Sequence, residues 1–459
     1  MDNKNIYNFF SQSLKGSAMY SSWGIVVKIL VVINSIFILK YLTLYQFGVY
    51  KLAFSIYAVA GGFLLSGLNG IVLNDVSHYL AIKNRPSIRR LLYEFLLVRI
   101  LLGILAWGIL FFGSQIISNY YNAGVASYVR ILSFLFLTDV VITFADIFFR
   151  ATLKFFLAAA MPAINEISKF FIIIYFIYFS GGNLNIDRVL WATVLSTIVS
   201  SIIVIVYFLT KFHNTFFIPK ADKFILFKTI RTYGKWAIAK SYFTNLPNSL
   251  RLWMIKIFIS TEAVAIFSVA NTLLSAAKKL IPLQPLLSII PKQIKDLDKL
   301  ADIYKRASKY FLFIFAAVGI FSYFSVPLAV KILFPKYIVS IPLFYILLIT
   351  MFLQWSVLTK LIIFSIRKQK FLFFQPFLSI FSVVILNSIF LPVFSLNGVA
   401  IEYILTPLVI SIVFYIYLVK KIPQMKLTFI DFFSFDVNDK IIIKQLWNGG
   451  ITYIKKKNN

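Results

Sequence analysis

Cysteine is absent from the chain, and its absence excludes several kinds of site. There can be no disulfide framework, no cysteine-ligated zinc and no thiol nucleophile. Histidine is nearly absent as well, because His78 and His213 are the only two among 459 residues. They lie far apart in the sequence and close to predicted membrane edges, so a histidine-based metal site is not expected. The sequence indicates no cofactor.

Charged residues are also scarce, at 14% of the chain, and most of them are basic. The 46 Lys and Arg residues outnumber the 16 Asp and Glu residues, which gives a formal net charge of +30. In a soluble protein such an excess suggests nucleic acid as a partner. Here the basic residues mostly flank long apolar segments, so we expect no nucleic-acid binding.

Apolar residues make up 60% of the chain, and the mean hydropathy is +0.86. Apolar runs of about 20 residues, long enough to cross a bilayer as a helix, recur from end to end and leave no room for a soluble domain. The sequence therefore predicts an all-α integral membrane protein with about 12 transmembrane helices. The predicted spans are Tyr20–Leu39, Gly48–Leu68, Leu91–Gly113, Val125–Phe148, Phe155–Phe179, Val189–Leu209, Tyr233–Ile259, Ala263–Ile290, Tyr310–Leu333, Ile341–Phe364, Phe371–Phe394 and Val399–Val419.

Basic residues concentrate in every second loop. The stretch from Lys211 to Arg231 holds several of them, whereas the alternate loops contain little beyond Lys40, Arg188 and Lys336. Loops rich in Lys and Arg remain in the cytoplasm. We therefore expect a multi-pass protein with both termini on the cytoplasmic side.

The basic stretch at 211–232 divides the predicted spans into two sets of six. We predict an N-terminal six-helix bundle over 1–210, a cytoplasmic linker over 211–232, a C-terminal six-helix bundle over 233–419 and a basic cytoplasmic tail over 420–459. The tail clusters aromatic residues, and we expect it to lie at the membrane surface, where anionic lipid is a candidate contact. Two segments, Gly48–Ala53 and Ala265–Ala270, share the pattern small, any, aromatic, any, any, Ala. They suggest a parallel internal repeat, although small-residue helix packing gives the same pattern.

Ionisable side chains inside the predicted spans are the candidates for function, since each costs a few kcal/mol or more at the bilayer centre. Basic side chains outnumber acidic ones there, and a cation-lined cavity suits an anionic cargo such as a diphosphate. Snorkelling to the interface and pairing with a nearby acid are the alternatives for each candidate. We predict these substrate-cavity residues: Lys28, Lys240, Arg251, Arg99, Asp139 and Lys169.

Spacing refines these predictions. Lys240 and Arg251 are eleven residues apart, which places them on nearly one helical face. The pairs Asp146–Arg150 and Glu166–Lys169 have the spacing of ion pairs along one helix. Lysines near span ends are expected to snorkel: Lys51, Lys235, Lys256 and Lys331. The segment Asn245-Leu-Pro-Asn-Ser249 predicts a break in the seventh span, with its asparagines satisfying freed carbonyls.

Three stretches resemble one family of transporters in their order and spacing. They are Leu39-Lys-Tyr-Leu-Thr-Leu-Tyr-Gln-Phe-Gly-Val-Tyr50, Leu333-Phe-Pro-Lys-Tyr337, and Leu386-Asn387 to Pro392 followed by Asn397-Gly-Val-Ala-Ile401. They resemble the first loop and second helix, the link between helices nine and ten, and the turn between helices eleven and twelve of the polysaccharide transporters in the multidrug/oligosaccharidyl-lipid/polysaccharide (MOP) exporter superfamily.

That resemblance implies a MATE-like fold, with two six-helix bundles around a central cavity that opens alternately to each side. It implies a flippase that carries a polyprenyl-diphosphate-linked oligosaccharide (an O-antigen, capsule or exopolysaccharide repeat unit) across the bacterial cytoplasmic membrane. Membrane lipid and other polysaccharide-assembly proteins would be its partners. Many relatives have an acidic residue in the seventh helix, where this chain reads Leu250-Arg251-Leu252-Trp253. A cation-coupling mechanism that needs a carboxylate there is in doubt.

Two other functions stay open. A cation-coupled multidrug antiporter of the same superfamily should favour acidic cavity residues, which are few here. An integral-membrane polysaccharide polymerase should have a large external loop, whereas the predicted external loops are short. The sequence also has no phosphate-binding glycine loop, nucleophile elbow or metal-spaced carboxylate cluster, so we do not expect an enzyme.

Overall fold

The computed structural model describes residues 24, 26–64, 67–121, 124–152, 154–179, 181–216, 224–231, 235–279, 297–365 and 369–434. Within these residues the chain is helical and contains no β-strand. The first helices are α1 (residues 26–41), α2 (Leu44–Ala60), α3 (Gly67–Ala81), α4 (Arg85–Tyr121), α5 (Ala126–Ser133), α6 (Leu135–Ala151), α7 (Phe155–Phe179), α8 (Ile186–Phe216) and α9 (Ile225–Thr229). The later helices are α10 (Lys235–Thr244), α11 (Leu246–Phe258), α12 (Thr261–Lys279), α13 (Leu297–Leu333), α14 (Ile341–Leu348), α15 (Ser356–Ser365), α16 (Gln369–Phe394), α17 (Leu396–Lys421) and α18 (Phe429–Phe433).

Eight helical segments in the described part of the chain are long and apolar enough to cross a membrane. They coincide with eight of the predicted spans and confirm an all-α, multi-pass membrane protein. The eight segments are Arg85–Asn119, Ala126–Ala151, Phe155–Phe179, Ile186–Thr210, Leu300–Leu333, Pro335–Leu353, Phe371–Phe394 and Leu396–Lys421. The other four predicted spans are broken or only partly described. The first begins at Tyr20 and the eighth ends at Ile290, and both positions lie outside the described residues.

Four predicted spans are not single helices. The fourth is interrupted at Phe134, between α5 and α6, and the tenth passes through a 3-10 turn between α14 and α15. The second, predicted over Gly48–Leu68, begins at Leu44, stops at Ala60 and passes through a 3-10 turn before α3. Two glycines open that turn, and glycine is a weak helix former. The seventh span divides at Asn245 into α10 and α11, with Pro247 in the first turn of α11, where its missing N–H is not needed. The predicted break in the seventh span is confirmed.

The helices α2 and α12 begin at equivalent points of the suspected repeat. Thr43 caps α2, because its side chain accepts a hydrogen bond from the Gln46 N–H at 3.2 Å and the Gln46 side chain accepts one from the Thr43 N–H at 3.0 Å. The Ser260 hydroxyl accepts from the Ala263 N–H at 3.2 Å beside the first turn of α12. Each cap lies five residues before the small residue that opens its copy of the pattern, which supports a repeated unit.

Contacts divide the chain into two compact units. The first comprises Met1–Ser275, Tyr323–Leu347 and Phe373–Thr406, and the second comprises Ala276–Ser322, Leu348–Leu372 and Pro407–Asn459. The helices α13, α16 and α17 each contribute residues to both units. The division into two six-helix bundles, a linker and a tail, expected from the sequence, uses other boundaries and stays a prediction. All the predicted cavity residues belong to the first unit.

Candidate functional site

A buried ion pair joins α11 to α17. Arg251 is 4% exposed and Glu402 is fully buried. The guanidinium Nε donates to Oε2 of the carboxylate at 2.5 Å, and Nη2 donates to Oε1 at 2.9 Å. This two-point contact is the strongest geometry available to an arginine and a carboxylate. The sequence predicted Arg251 as a cavity residue with pairing as an alternative, and the structure places it in a pair.

Polar neighbours complete this pair. Thr406 Oγ1 donates to Glu402 Oε1 at 2.7 Å, and Asn387 Nδ2 donates to Oε2 at 3.2 Å. Arg251 Nη1 donates to Asn248 Oδ1 at 2.9 Å. Each carboxylate oxygen therefore accepts two hydrogen bonds, and these bonds offset the cost of burying the charge. The carboxylate that pairs with the arginine of the seventh span therefore comes from α17.

The aromatic side chain of Tyr403 packs against the Arg251–Glu402 pair. The Tyr403 ring lies 4.7 Å from the guanidinium carbon of Arg251, and the Tyr403 hydroxyl donates to Asn271 Oδ1 at 2.8 Å. A guanidinium over an aromatic face gains further stabilisation. The arrangement ties α12 to the same cluster, so four helices (α11, α12, α16 and α17) meet at the Arg251–Glu402 pair.

Arg99 forms a second polar cluster on α4 and is 1% exposed. Its Nη1 donates to the Leu64 carbonyl at 2.6 Å, and Nη2 donates to Asn69 Oδ1. Asp139 on α6 lies 3.8 Å from Nη1 and keeps 35% of its side chain exposed. Leu64 ends the 3-10 turn after α2 and Asn69 belongs to α3, so Arg99 satisfies polar groups freed where the second span breaks. The structure thus brings two of the predicted residues, Arg99 and Asp139, together.

A third polar cluster lies between α1, α2 and α7, and we call it the Lys51–Lys169 cluster: Asn34, Lys51, Glu166 and Lys169. Asn34 Nδ2 donates to Glu166 Oε2 at 2.7 Å and to the carbonyl of the same residue at 3.0 Å. The charge of Lys169 acts against that of Lys51, and the Glu166 carboxylate attracts Lys169. Among the described residues, no carboxylate forms an ion pair with either lysine.

The predicted snorkelling of Lys51 stays a prediction, although Lys169 of the same cluster lies far from the ends of its helix. Lys169 lies ten residues from the nearer end of α7. At 1.5 Å per residue that distance is about 15 Å, farther than a lysine side chain reaches. Lys51 lies near Lys169 and has its ammonium 5.2 Å from the centre of the Phe47 ring. Glu166 and Lys169, spaced to pair with each other, do not form an ion pair, since the carboxylate binds Asn34.

The remaining predicted residues lie apart from these clusters in the chain. Lys28 is exposed on α1, and Lys240 is partly buried on α10. The argument that placed Lys240 and Arg251 on one helical face is wrong, because it needs a continuous helix and the helix breaks at Asn245. The Asp146–Arg150 pair is confirmed, with Oδ1 and Nε 2.8 Å apart. The cavity role of the six predicted residues stays a prediction.

The second and seventh predicted spans contact each other at their breaks. Asn245 Nδ2 donates to the Ala58 carbonyl at 3.3 Å, as predicted for an asparagine beside a freed carbonyl, although the carbonyl belongs to another helix. The Ser249 hydroxyl donates to the Ser55 carbonyl at 3.0 Å. On the far side of the break, the Gly67 N–H donates to Ser241 Oγ at 2.9 Å. Each broken span therefore satisfies backbone groups of the other, which a membrane interior requires.

Sequence reasoning missed Glu402, Asn387 and Lys51 as parts of these clusters. Glu402 is the only acidic residue in the twelfth predicted span, and Arg251 is a cation deep in the seventh. Matching the two unusual charges would have suggested the pair. Asn387 lies within a stretch already noted for its family resemblance, but that stretch gives no indication of what the amide binds.

Comparison with known proteins identifies the family. A family profile described as "Polysaccharide biosynthesis protein" matches residues 13–292, more than half of the chain. No curated protein matches the chain significantly.

Solved structures share the fold at low sequence identity. An inward-facing multidrug resistance MATE family transporter of the MOP superfamily has a TM-score of 0.73 at 17% identity, over 87% of this chain and 94% of that one. An outward-facing transporter of the same description has a TM-score of 0.60 at 17% identity, over 89% and 93%. A MOP superfamily transporter from Pyrococcus furiosus, described as having a binding pocket of reverse polarity, has a TM-score of 0.59 at 16% identity, over 90% and 94%. The chain therefore belongs to the polysaccharide biosynthesis protein family, and it has the MATE fold of the MOP-superfamily transporters.

Proposed function

We propose that the protein is a flippase that moves a polyprenyl-diphosphate-linked oligosaccharide across the bacterial cytoplasmic membrane by alternating access. The family match and the transporter fold support a carrier in polysaccharide assembly. The observation that carries the proposal is the Lys51–Lys169 cluster, where two lysines share one acidic neighbour, Glu166, and no ion pair joins them in the described part of the chain.

The charges of this cluster fit an anion. Like charges repel strongly in a medium of low dielectric constant, so two neighbouring ammonium groups between membrane helices need a counter-charge. Glu166 binds Asn34 and attracts Lys169, but one carboxylate leaves the two lysines with a net positive charge. A diphosphate carries enough negative charge to neutralise both lysines and offers acceptors to their N–H groups. The oligosaccharide would follow the diphosphate, and the polyprenyl chain would stay in lipid.

The contacts of the acidic side chains in the membrane helices argue against a carrier of cationic drugs. Each acidic side chain that the sequence places inside a span already has a donor or a cation beside it. Glu402 binds Arg251, Asp146 binds Arg150, Asp139 faces Arg99, Glu166 binds Asn34, and Glu94 binds Arg90 and two backbone N–H groups. A cationic drug would have to displace one of these partners, whereas an anion meets a cluster in which two lysines share one carboxylate.

The broken spans supply a means of movement. In this structure Arg251 is occupied by Glu402, so it holds helices together instead of meeting cargo. The breaks after Ala60 and at Asn245 let the second and seventh spans bend where they meet, because side chains replace the missing helical hydrogen bonds. The two predicted six-helix bundles would shift against each other at this crossing to expose the cargo on either side.

Translocation in proteoliposomes tests the proposal. The cargo is a fluorescent polyprenyl-diphosphate oligosaccharide, and the readout is the fraction that reaches the opposite leaflet. We expect Lys51→Met and Lys169→Met each to slow translocation about tenfold or more, since each removes a charge-assisted contact of roughly 1.5 kcal/mol or more. Lys169→Arg should retain most activity, and Lys331→Met, an exposed lysine in the last turn of α13, should behave as the unaltered protein.

Three results would contradict this function. Translocation that is unaffected by both methionine variants would remove the proposed cargo site. Transport of a cationic dye in place of the lipid-linked sugar would favour the multidrug antiporter. Products of increased chain length after incubation with the lipid-linked sugar would favour the polymerase, so the size of the recovered oligosaccharide is measured in the same samples.

A further inference from the structure

A short capped helix follows the last membrane span. After α17 ends at Lys421, a 3-10 turn leads to α18, whose N-cap is Thr428. The Thr428 N–H donates to the Asp431 carboxylate at 2.7 Å, and the Asp431 N–H donates to Thr428 Oγ1 at 3.4 Å. A helix of this length is not stable by itself, so both the cap and outside contacts are needed to define it.

Contacts within the second unit hold α18 in place. The Leu427 N–H donates to the Tyr415 hydroxyl at 2.7 Å. Tyr415 lies six residues before the end of α17, or about 9 Å along the helix, so the chain turns back beside the span it has just left. Lys309 Nζ donates to the Ser434 carbonyl at 2.7 Å, and Lys305 Nζ lies 3.7 Å from Asp431.

The charge of Asp431 agrees with this docked position. Burial alone would raise the pKa of its carboxyl, but the hydrogen bonds from Thr428 and the ammonium of Lys305 outweigh burial and lower that pKa below its ordinary value. The carboxylate is therefore ionised and engaged at neutral pH.

One face of α18 is apolar and exposed. Phe429 is 79% exposed, Ile430 72% and Phe433 54%. The Phe433 ring packs 6.2 Å from that of Phe313, and Phe429 packs 4.9 Å from Phe433. Phe313 is itself exposed, and it belongs to the segment Leu300–Leu333 that is apolar enough to cross a membrane. The exposed face of α18 thus continues the outer surface of a membrane helix.

Basic residues border this face. Lys420, Lys421 and Lys426 are exposed, and Asp431 is the only acidic residue between positions 407 and 434. Aromatic rings beside lysines are typical of segments that lie in the interface of a bilayer, where the rings enter the acyl boundary and the ammonium groups meet phosphates. Lysines near an anionic surface are attracted to it.

We propose that residues 420–433 form an interfacial anchor that binds anionic phospholipid at the membrane surface where α17 ends. Phe429, Ile430 and Phe433 would insert at the acyl boundary, and the three exposed lysines would bind headgroups. The occupant is a lipid surface because the apolar face is continuous with a membrane helix and its border is cationic. The proposal does not depend on what the protein transports.

The absence of cysteine allows a direct test. In full-length Ile430→Cys the new thiol is the only one, and it can carry an environment-sensitive fluorophore. The labelled protein is reconstituted in phosphatidylcholine with or without phosphatidylglycerol, and with lipids that carry a quencher near the headgroup. We expect blue-shifted emission and about twofold stronger quenching when phosphatidylglycerol is present, and weaker quenching at high salt.

A control outside the anchor uses Asp298→Cys, an exposed position in the first turn of α13. Its label should emit as in water in both bilayers. Replacing Lys420, Lys421 and Lys426 together by Gln in the Ile430→Cys chain should remove the response to phosphatidylglycerol. The proposal is overturned if the label at 430 stays accessible to a water-soluble quencher, if it is shielded but insensitive to lipid quenchers, or if both bilayers quench it equally.

Discussion

At the scale of single residues, the Arg251–Glu402 pair shows how a membrane interior holds charge. Both groups lose their hydration, and only hydrogen bonds compensate for it. The carboxylate accepts four of them, two from Arg251 and one each from Thr406 and Asn387. The net gain from such a pair is small, but the loss on removing one partner is large, because the other stays buried and charged.

Removing one partner should therefore cost more than removing both. We expect Arg251→Met to lower the free energy of unfolding by about 3–5 kcal/mol, since Glu402 would be left without its cation. The double variant Arg251→Met/Glu402→Met should recover most of that loss. Thermal unfolding of the purified protein in detergent measures the cycle, and losses that simply add in the double variant would show that the pair is not coupled.

Gly48 is a second residue whose identity has a geometric cause. A Cβ at this position would lie 2.0 Å from the Thr261 carbonyl oxygen, which is backbone and cannot turn aside. We expect Gly48→Ala to destabilise the protein by about 1–3 kcal/mol through this overlap. Gly108→Ala is the matched control, because nothing lies within 4 Å of its Cβ. In thermal unfolding, equal effects of the two variants would refute the close approach of α2 and α12.

At the scale of elements, the predicted linker contains a helix that is attached to its neighbours. Glu94 Oε2 on α4 accepts from the Ile225 N–H at 3.0 Å and the Leu226 N–H at 2.8 Å, so it caps the N-terminus of α9. The Thr229 hydroxyl donates to the Asp75 carboxylate at 2.9 Å. An acid that the sequence placed inside the third span is therefore the cap of another helix.

Loss of this cap should release the linker. We expect Glu94→Ala to increase trypsin cleavage at Lys228 and Arg231 severalfold, since a lost helix cap costs about 1 kcal/mol and the donors at the start of α9 would have no acceptor. Arg90→Ala is the control, because it removes the ion pair with Oε1 at 2.6 Å and the contact with the Phe224 ring but leaves both cap hydrogen bonds. Cleavage that rises equally in both variants would assign the effect to the ion pair.

Comparison of the observed helices with the predicted spans shows what the sequence can predict. Eight spans follow from apolar length alone, because a helix in lipid must be apolar over its whole length. The break at Asn245 is visible because Pro247 lacks a donor, whereas the break after Ala60 lies in an apolar run and only its glycines indicate it. Arg251 and Glu402 are 151 positions apart, so no local pattern could pair them.

At the scale of the whole molecule, the crossing of the second and seventh spans joins the two predicted bundles. Both broken spans contribute hydrogen bonds there, and α2 and α12 begin at equivalent positions of the suspected repeat. If the bundles rock during transport, the contact between Ser55 and Ser249 has to change, whereas contacts within one bundle can persist.

A cross-link at this crossing tests the motion. Because the chain has no cysteine, the two introduced thiols are the only ones that can react. Ser249 Oγ lies 3.0 Å from the Ser55 carbonyl, so Ser55→Cys/Ser249→Cys can be joined by a disulfide or a short bifunctional reagent. We expect the joined protein to lose translocation and to regain it when the link is cleaved.

The matched control lies within the N-terminal bundle, where the hydroxyls of Thr138 and Thr197 are 3.2 Å apart. The cross-linked variant Thr138→Cys/Thr197→Cys should translocate cargo at nearly the unlinked rate, because α6 and α8 would move together. Loss of transport in both linked variants would mean that motion within a bundle is also required. Full transport with Ser55 and Ser249 joined would exclude rocking at this crossing, and the breaks in both spans would then serve only to satisfy backbone groups in lipid.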